Sequence, residues 1–397
     1  MNGLEEEPMD VIQPVSRRRF VGGVSSLVGL LTLKPGRLWP QQGQNPVPRR
    51  QTTPDEYDAL AKLANNENPY GPPQSVLEAM TKAFKYANRY GYPDGGIVEE
   101  IAKHHGVKTE NVMLGSGSGE ILDMAGTALL LNDKKIVGAE PSYDVLYQHV
   151  TALKADQIKV PLLPDFRQDI PATIAAVKAN SRDVGFVYLC SPTNPTGRVV
   201  TKQEVAQLLD GIPPDVIVLI DEAYHHFVED PNYATSVPYV LEGRQVIVCR
   251  TFSKIAALAG MRLGYCIAPR SILNRLRPYG TGTINAIVKW GGVAALRDTA
   301  SQAWVKKTTL ELRGKTMAEL TAHGYSVVPS DANFFLVHLR KPVAPLVEEF
   351  RKKGILVGRP FPAVPEHLRV SVGSADEMTR FVTAFKEIFP AGRAANQ

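Results

Sequence analysis

The 397-residue chain is long enough for a large core and two domains, and its 21% charged and 44% hydrophobic side chains are typical of a soluble globular enzyme. Three charges of the formal net charge of +5 come from Arg17 to Arg19, so the rest of the chain is nearly balanced and does not indicate a nucleic-acid surface. The cysteines, Cys190, Cys249 and Cys266, each lie in an apolar run, and no Cys/His cluster predicts a metal site.

The first 33 residues are predicted to be an export signal. Ser16–Val21 contains the arginine run and matches the twin-arginine pattern, and residues 21–33 are too short and too rich in small residues for a membrane span. Residues 34–55 are rich in Pro, Gln and Arg, which is typical of a linker. Because twin-arginine signals carry folded cargo, we expect a periplasmic or otherwise exported protein, with a cytoplasmic protein bearing a basic tail as the alternative.

From residue 75 onward the chain alternates between helical and strand-like segments. Residues 75–87 carry apolar side chains at helical spacing. Short apolar runs rich in β-branched residues follow at 111–114, 136–137, 184–189, 216–220, 246–249 and 263–268. Such strands, separated by helical stretches, predict an α/β fold with a mostly parallel sheet covered by helices. The C-terminal part predicts a smaller α+β unit, with strands at 333–339, 354–357 and 368–372 and a helix at 343–353.

Two of the predicted strands are followed by residues suited to a flat, anionic ligand, and ligands in such folds bind at the carboxyl ends of strands. The glycine-rich turn Gly115–Glu120 precedes a helix, where free backbone N–H groups attract an anion. An ordinary turn with Ser118 as the N-cap is the alternative. Tyr143 follows the next strand and would either stack on a ring or pack in the core.

Three further strand ends carry polar residues. Asn194 is bracketed by two prolines, which suits either a positioned ligand amide or a rigid turn. Asp221 and Tyr224 follow a buried strand, so the carboxylate is either a helix N-cap or the partner of a pyridinium nitrogen. Lys254 follows another strand, with Arg262 eight residues later. A buried ammonium is costly, so this lysine suits a Schiff base beside a phosphate, with an ordinary surface lysine as the alternative.

Taken together and in this order, the motifs resemble the fold-type I aminotransferases of class I/II, which use pyridoxal 5'-phosphate, over residues 62–375. Leu63–Gly71, Tyr92–Asp94 and Leu368–Gly373 are similar to the histidinol-phosphate aminotransferase branch. The resemblance implies a large cofactor-binding domain at 75–310, and a small α+β domain formed by an N-terminal arm at 56–74 and by residues 311–390. It also implies a homodimer with shared active sites that acts on an amino acid, or a related amine, and a 2-oxo acid.

The resemblance also implies the roles of single residues. Lys254 would hold the cofactor as a Schiff base and move a proton, assisted by Asp221 at the ring nitrogen. Asn194 and Tyr224 would bind the ring oxygen, and Tyr143 would stack on the ring. The cofactor phosphate would be held by Ser118, Gly119, Thr251, Ser253 and Arg262, and by Tyr92 of the partner subunit. The substrate would be bound by Asn68, Tyr70, Asn194, Arg359 and Arg369.

Three positions differ from the usual family pattern. Gly119 stands where an aspartate is usual, Tyr90 and Tyr92 are both candidates for the tyrosine that reaches the partner, and Gly358 shifts Arg359 by one position. The export signal is unexpected for histidine biosynthesis, which favours a substrate other than histidinol phosphate. The alternatives are a decarboxylase or lyase resembling the threonine-phosphate decarboxylases, and a non-catalytic cofactor-binding module.

Overall fold

The computed structural model describes residues 53–390. The predicted export signal and residues 34–52 of the predicted linker lie outside the described residues. Contacts place a boundary between two units after Tyr57, and the elements that lie beyond it belong to the second unit. At the end of the predicted linker, Pro54–Asp58 forms a short helix.

A seven-stranded sheet positions most of the site. The strands of residues 53–390 are, in chain order, β1 (Ala61–Leu63), β2 (Val112–Gly115), β3 (Lys135–Glu140), β4 (Gln157–Pro161), β5 (Val184–Cys190), β6 (Ile217–Asp221), β7 (Val246–Thr251), β8 (Gly264–Ile267), β9 (Val327–Val328), β10 (Phe334–His338), β11 (Ile355–Val357) and β12 (His367–Ser371). The large sheet has the order β2-β8-β7-β6-β5-β3-β4. All neighbouring pairs from β7 to β4 are parallel, and β8 is antiparallel to both of its neighbours. The predicted mostly parallel sheet is therefore confirmed.

Helices cover both faces of this sheet because its central strands are apolar on both sides. The α-helices that follow Pro54–Asp58 are Gln74–Ala83, Ile97–His105, Ser118–Leu129, Val145–Ala152, Ile170–Ala179, Lys202–Gly211, Val237–Leu241, Arg270–Leu276, Ala286–Arg297, Thr299–Ala322, Val343–Lys352 and Ala375–Ile388. Along β6, Val218 and Ile220 pack into one hydrophobic cluster, whereas Ile217 and Leu219 pack into another. Since successive side chains of a strand point to opposite faces, the two clusters lie on opposite sides of the sheet.

The C-terminal elements form two small sheets with a separate core. β1 pairs in parallel with β11, and β10 pairs antiparallel with both β12 and β9. Apolar side chains of β1, β10, β11 and β12 share a cluster with helix Ala375–Ile388. The N-terminal arm thus pairs with the C-terminal elements. The domain boundaries stay predictions, and the expected division at residue 310 falls inside helix Thr299–Ala322.

Between residues 53 and 390, no helix combines the length and the apolar character needed to cross a bilayer.

Candidate active site

A cradle for an anion lies where β2 meets helix Ser118–Leu129. Ser118 is the first residue of this helix rather than its N-cap, and the N-cap Gly117 offers no side-chain hydrogen bond to the first turn. The first backbone N–H groups are therefore free to bind an anion. The cavity beside them is lined by Ser118, Gly119, Thr251, Ser253 and Arg262, which are the residues predicted for the phosphate.

Hydrogen bonds fix the groups of this cradle. The Thr251 hydroxyl donates to Ser253 Oγ at 2.8 Å. Arg262 adopts a left-handed backbone conformation with φ of 59°, and its guanidinium donates to Ala259 O at 2.8 Å and to Ser116 O at 3.3 Å. Because both bonds that Arg262 makes within residues 53–390 go to neutral carbonyls, its charge is kept for an anion.

Gly117 is required for this arrangement, and Gly119 is not. Gly117 has φ of +76°, and an added Cβ would lie 2.1 Å from Nη2 of Arg262. An added Cβ at Gly119 would meet no heavy atom within 4 Å. The glycine that replaces the usual aspartate thus leaves open space at the helix start, while its neighbour is packed tightly against the arginine.

We expect Gly117→Ala to weaken cofactor binding by about tenfold or more, because the added Cβ displaces Arg262 and because φ of 76° with ψ of 167° is accessible essentially only to glycine, at a cost of about 1–3 kcal/mol for other residues. Gly119→Ala is the matched control. It should bind the cofactor like the wild type and be up to about 1 kcal/mol more stable, since alanine favours the helix. Titration of the cofactor-free proteins, followed by absorbance, measures the affinities. Equal loss in both variants would contradict the assigned packing.

Asp221 lines the same cavity, at the end of β6. Its side chain is buried and accepts hydrogen bonds from the Ala223 backbone N–H at 3.2 Å and from the Tyr188 hydroxyl at 3.4 Å. Burial raises the pKa of Asp221 to about 6. Within the described residues no cationic nitrogen lies in ion-pair contact with it, so a ligand that presents a protonated nitrogen would gain a carboxylate partner there.

Lys254 lines the same cavity. It is partly buried, its Nζ donates to Asn65 O at 3.3 Å, and the same atom lies 5.4 Å from the centre of the Tyr224 ring. Burial and, next, the charge of Arg369 lower the pKa of Lys254 to about 8. A sizeable fraction of the amine is therefore neutral, and hence nucleophilic, near neutral pH.

Because of this low pKa, the rate at which the cofactor-free protein takes up pyridoxal phosphate should rise with pH with a midpoint near pH 8, rather than near the ordinary lysine value of 10.5. Stopped-flow absorbance between pH 6.5 and 9.5 measures the rate. Reaction of the same aldehyde with Nα-acetyl-lysine amide serves as the reference, since dividing by it cancels the titration of the cofactor itself. A ratio that does not change over this range would contradict the lowered pKa.

A hydrogen-bond network joins the predicted ring-oxygen ligands to a substrate-side arginine. The Tyr224 hydroxyl accepts from Asn66 Nδ2 at 3.1 Å and from Asn194 Nδ2 at 3.4 Å, so its own proton is left to donate. Burial raises the pKa of Tyr224 and keeps that proton in place. Asn194 Oδ1 accepts from Arg369 Nη1 at 2.7 Å. Asn194 thus contacts both the Tyr224 hydroxyl and the Arg369 guanidinium.

Arg369 is buried and lacks a carboxylate partner among the described residues. Its Nη1 and Nη2 donate to neutral oxygens, those of Asn194 and of the Ala64 backbone. Its Nε makes no hydrogen bond to any of residues 53–390. A buried donor without a partner is costly, and a carboxylate from a ligand would satisfy both this donor and the charge.

The other predicted residues lie in three different settings. Tyr143 lines the cavity, and burial raises its pKa to about 12. Asn68 Nδ2 donates to Ile255 O at 3.0 Å, beside Lys254, whereas Tyr70 packs edge-on against Trp304 with 4.6 Å between the ring centres. The contacts found for Asn68 and Tyr70 do not include Arg369.

The two candidate tyrosines for the partner's site differ in their surroundings. The Tyr92 hydroxyl donates to Ile284 O at 2.8 Å, and the Tyr90 side chain is fully exposed.

Arg359, a predicted substrate ligand, is exposed and forms an ion pair with Asp144. Its guanidinium lies 4.5 Å from the centre of the Phe361 ring.

Sequence reasoning missed several residues that support the site. Asn66 lies inside the quoted segment 63–71, but its contacts with Tyr224 and with Ser371 depend on residues far apart in the chain. Arg250 and Glu222, which stand next to Thr251 and Asp221, form a buried ion pair at 2.7 Å. This pair links the ends of β7 and β6. In the sequence, the position of Arg250 directly before Thr251 was the one feature that could have indicated the pair.

The cavity fits pyridoxal 5'-phosphate. The free helix N-terminus, two hydroxyls and Arg262 suit the phosphate, the buried Asp221 suits the pyridine nitrogen, and the amine of Lys254 suits the aldehyde carbon. A sheet with parallel central strands that places these groups at its carboxyl edge defines an enzyme of the pyridoxal-phosphate-dependent class.

Comparison with known proteins agrees with this class. The model of the family described as aminotransferase class I and II matches residues 59–385. The chain is 34% identical to histidinol-phosphate aminotransferase of Moorella thermoacetica, over 83% of this chain and 85% of that protein. It is also 34% identical to histidinol-phosphate aminotransferase 2 of Carboxydothermus hydrogenoformans, over 83% and 91%. The crystal structure of histidinol-phosphate aminotransferase from Sinorhizobium meliloti in complex with pyridoxal-5'-phosphate has the same fold. Its TM-score is 0.76 at 24% identity, covering 82% of this chain and 90% of that chain.

The chain belongs to the family of class I and II aminotransferases. The predicted family, fold, cofactor and type of reaction are thereby confirmed: the protein is a pyridoxal-phosphate-dependent transaminase. The decarboxylase alternative and the non-catalytic alternative are not favoured by these relatives. The roles of the single residues stay predictions.

Proposed function

We propose that the protein moves an amino group from an amino acid to a 2-oxo acid, with Lys254 as the lysine that holds the cofactor and moves the proton. The observation that carries this proposal is the convergence of Lys254, Asp221 and the anion cradle on one cavity, with the unsatisfied Nε of Arg369 on the network that reaches Tyr224. Bound pyridoxal phosphate supplies a carbon that takes up the amino group and a ring that withdraws electrons from the substrate's Cα.

Single residues of the chain would bind the substrate, move the proton and hold the cofactor ring. The Arg369 guanidinium binds the substrate carboxylate and so orients the Cα–H bond. Lys254 Nζ, whose pKa is lowered toward neutrality, accepts the proton from Cα and later returns one. Asp221 would keep the ring nitrogen protonated, and Asn194 and Tyr224 would donate hydrogen bonds to the ring oxygen. Burial of the Asp221 carboxylate strengthens its attraction for that nitrogen.

Reduction with borohydride tests the first part of this proposal. Purified protein should show the visible absorbance of bound cofactor, and reduction should attach the cofactor covalently to Lys254, as mapped by peptide mass spectrometry. An adduct on another lysine, or none, would overturn the role of Lys254.

A panel of amino donors then tests the reaction. Transamination converts donor and acceptor into a new amino acid and a new 2-oxo acid, whereas decarboxylation releases CO2, so both products are measured. Histidinol phosphate belongs in the panel because the relatives from Moorella and Carboxydothermus are named for it. We propose an amino acid as the donor of this protein. Exclusive use of histidinol phosphate would contradict that choice.

We also propose a homodimer. The side chains of Phe84 and Leu77, at helix Gln74–Ala83, are 62% and 44% exposed, which leaves apolar surface available to a second copy. Tyr92 of the partner subunit would reach the cofactor phosphate. Sedimentation equilibrium measures the oligomeric state, and comparison of Tyr92→Phe with Tyr90→Phe for cofactor affinity identifies the tyrosine. A monomer at micromolar concentration would refute the dimer.

Export through the twin-arginine route is the last part of the proposal, and it is supported by the sequence Ser16–Val21 alone. Residues 1–50 fused to a reporter should direct it out of the cytoplasm. Changing Arg17 and Arg18 to lysine should retain it, and continued export of that variant would argue against this route.

A further inference from the structure

An ion pair between distant parts of the chain lies beside the substrate-side arginine. Asp144 follows the ring-stacking candidate Tyr143, and its carboxylate accepts a hydrogen bond from Arg359 Nη2. Asp144 is the N-cap residue of helix Val145–Ala152, yet its side chain makes no capping hydrogen bond to that helix. The carboxylate is thus directed to Arg359 and, at 3.2 Å, to the amide of Gln148.

Arg359 and Arg369 share one aromatic neighbour. Their guanidinium carbons lie 4.5 Å and 5.2 Å from the centre of the Phe361 ring. The charges of Arg359 and Asp144 also act on Arg369. Burial is the main cause that lowers the pKa of Arg369 to about 10, while Arg359 lowers it further and Asp144 raises it. The carboxylate of Asp144 therefore acts on the same small region as the two arginines.

The two arginines differ in how far their charge is already neutralised. Arg359 has a carboxylate in contact, whereas the hydrogen bonds of Arg369 go to an amide oxygen and a backbone carbonyl, with Nε left over. Of this pair, only Arg369 has a full charge available to a ligand. A second anionic group on a substrate would have to displace Asp144 from Arg359 or lie against its carboxylate, and like charges brought together are unfavourable.

We propose that Asp144 sets the charge of the accepted substrate: by holding Arg359, it selects amino acids whose only anionic group is the α-carboxylate. Amino donors with a second carboxylate or a phosphate are discriminated against. This proposal rests on the proposed transamination, and it concerns selectivity rather than the chemical step. Asp144 and Arg359 thus form a specificity-determining pair, and removal of the carboxylate frees the arginine for a second anion.

The test compares Asp144→Asn with the wild-type holoenzyme. The ratio of kcat/KM for aspartate or glutamate to kcat/KM for alanine, leucine and phenylalanine should rise by about tenfold or more in the variant, mainly through KM. Asp210→Asn is the matched control, since Asp210 also pairs with an arginine, Arg244, and neither residue lines the cavity. It should leave the ratio unchanged.

A second variant distinguishes two possible causes of the rise in the ratio: the freed positive charge of Arg359, and the mere loss of the ion pair. Arg359→Met breaks the same contact without freeing a cation, so the ratio should not rise. In the double variant Asp144→Asn/Arg359→Met, the gain of the single variant should disappear. A rise in Arg359→Met equal to that in Asp144→Asn would overturn the proposal, and so would a wild type that prefers dicarboxylic donors.

Binding provides a readout that does not depend on turnover. Glutarate and butyrate, which lack an amino group, are titrated into the holoenzyme and followed by the shift in cofactor absorbance. Asp144→Asn should strengthen glutarate binding relative to butyrate by about the same factor as the kinetic ratio. If the wild type transaminates no donor, the proposed function fails. If it transaminates but glutarate binding is unchanged in Asp144→Asn, the role of Asp144 fails alone.

Discussion

Lys254→Ala is expected to reduce transamination by about four orders of magnitude or more, because it removes both the amine that holds the cofactor and the base that moves the proton. The cofactor should still bind through the cradle around Arg262, more weakly and without covalent attachment. Loss of a partly buried amine with a lowered pKa should not destabilise the fold. Steady-state kinetics, borohydride reduction and thermal unfolding measure the three effects.

Lys254→Arg is the control that separates charge from chemistry. Arginine keeps the positive charge near Tyr224 and Asn65 but is not a nucleophile or a base at neutral pH. It should be as inactive as Lys254→Ala. If it retained more than a few per cent of the activity, the lysine would have an electrostatic role only.

Asp221→Asn is expected to have opposite effects on activity and stability. The amide cannot hold the ring nitrogen in its protonated form, so turnover should fall by about 10²- to 10⁴-fold. The cofactor-free variant, by contrast, should be more stable than the cofactor-free wild type at neutral pH. Asparagine is of similar shape, and its Oδ1 can still accept from the Ala223 N–H.

The stability gain follows from the pKa of Asp221, which burial raises from 3.8 to about 6 in the fold. Above pH 6 the folded protein carries a charge that the unfolded chain solvates better, at a cost of about 3 kcal/mol. As the pH falls through 6 toward 4, the folded carboxyl becomes protonated and this cost is lost. The gain from asparagine should therefore be about 3 kcal/mol at pH 7.5 and about 1 kcal/mol at pH 4.5.

Urea unfolding of the cofactor-free proteins at both pH values measures this difference. Asp210→Asn, at a side chain that is 70% exposed, is the control and should change neither the activity nor the pH dependence of the stability. A destabilised Asp221→Asn at pH 7.5 would show that the carboxylate is held by interactions stronger than its hydrogen bonds to Ala223 and Tyr188.

The central sheet could be predicted because β5, β6 and β7 are nearly continuous apolar runs that contrast with the helical spacing between them. β4 was missed because it is an edge strand, Gln157–Pro161, in which polar and apolar residues alternate and a single residue is buried. β9 has two residues and no pattern that would reveal it. Short strands form through their partners, and a sequence pattern does not carry that information.

In the site, too, some residues could be predicted from local sequence patterns and others could not. Asn194, Asp221 and Lys254 could be grouped because each stands at the carboxyl end of a strand, and parallel strands end at one edge. Contacts such as Arg369 with Ala64, or Arg359 with Asp144, join residues more than 200 positions apart. They depend on how β12 and the segment after β11 pack in three dimensions. Arg359 was predicted as a substrate ligand, but its partner Asp144 was not.

The origin of the cavity residues has a consequence for protein engineering. The residues that line the cofactor cavity lie between positions 118 and 262, whereas Arg359 and Arg369 lie beyond the last strand of the large sheet. A library restricted to residues 357–361 would therefore vary the amine that is accepted while the lining of the cofactor cavity is inherited unchanged. Asn194 contacts both halves, so it is the position to keep constant in such a library.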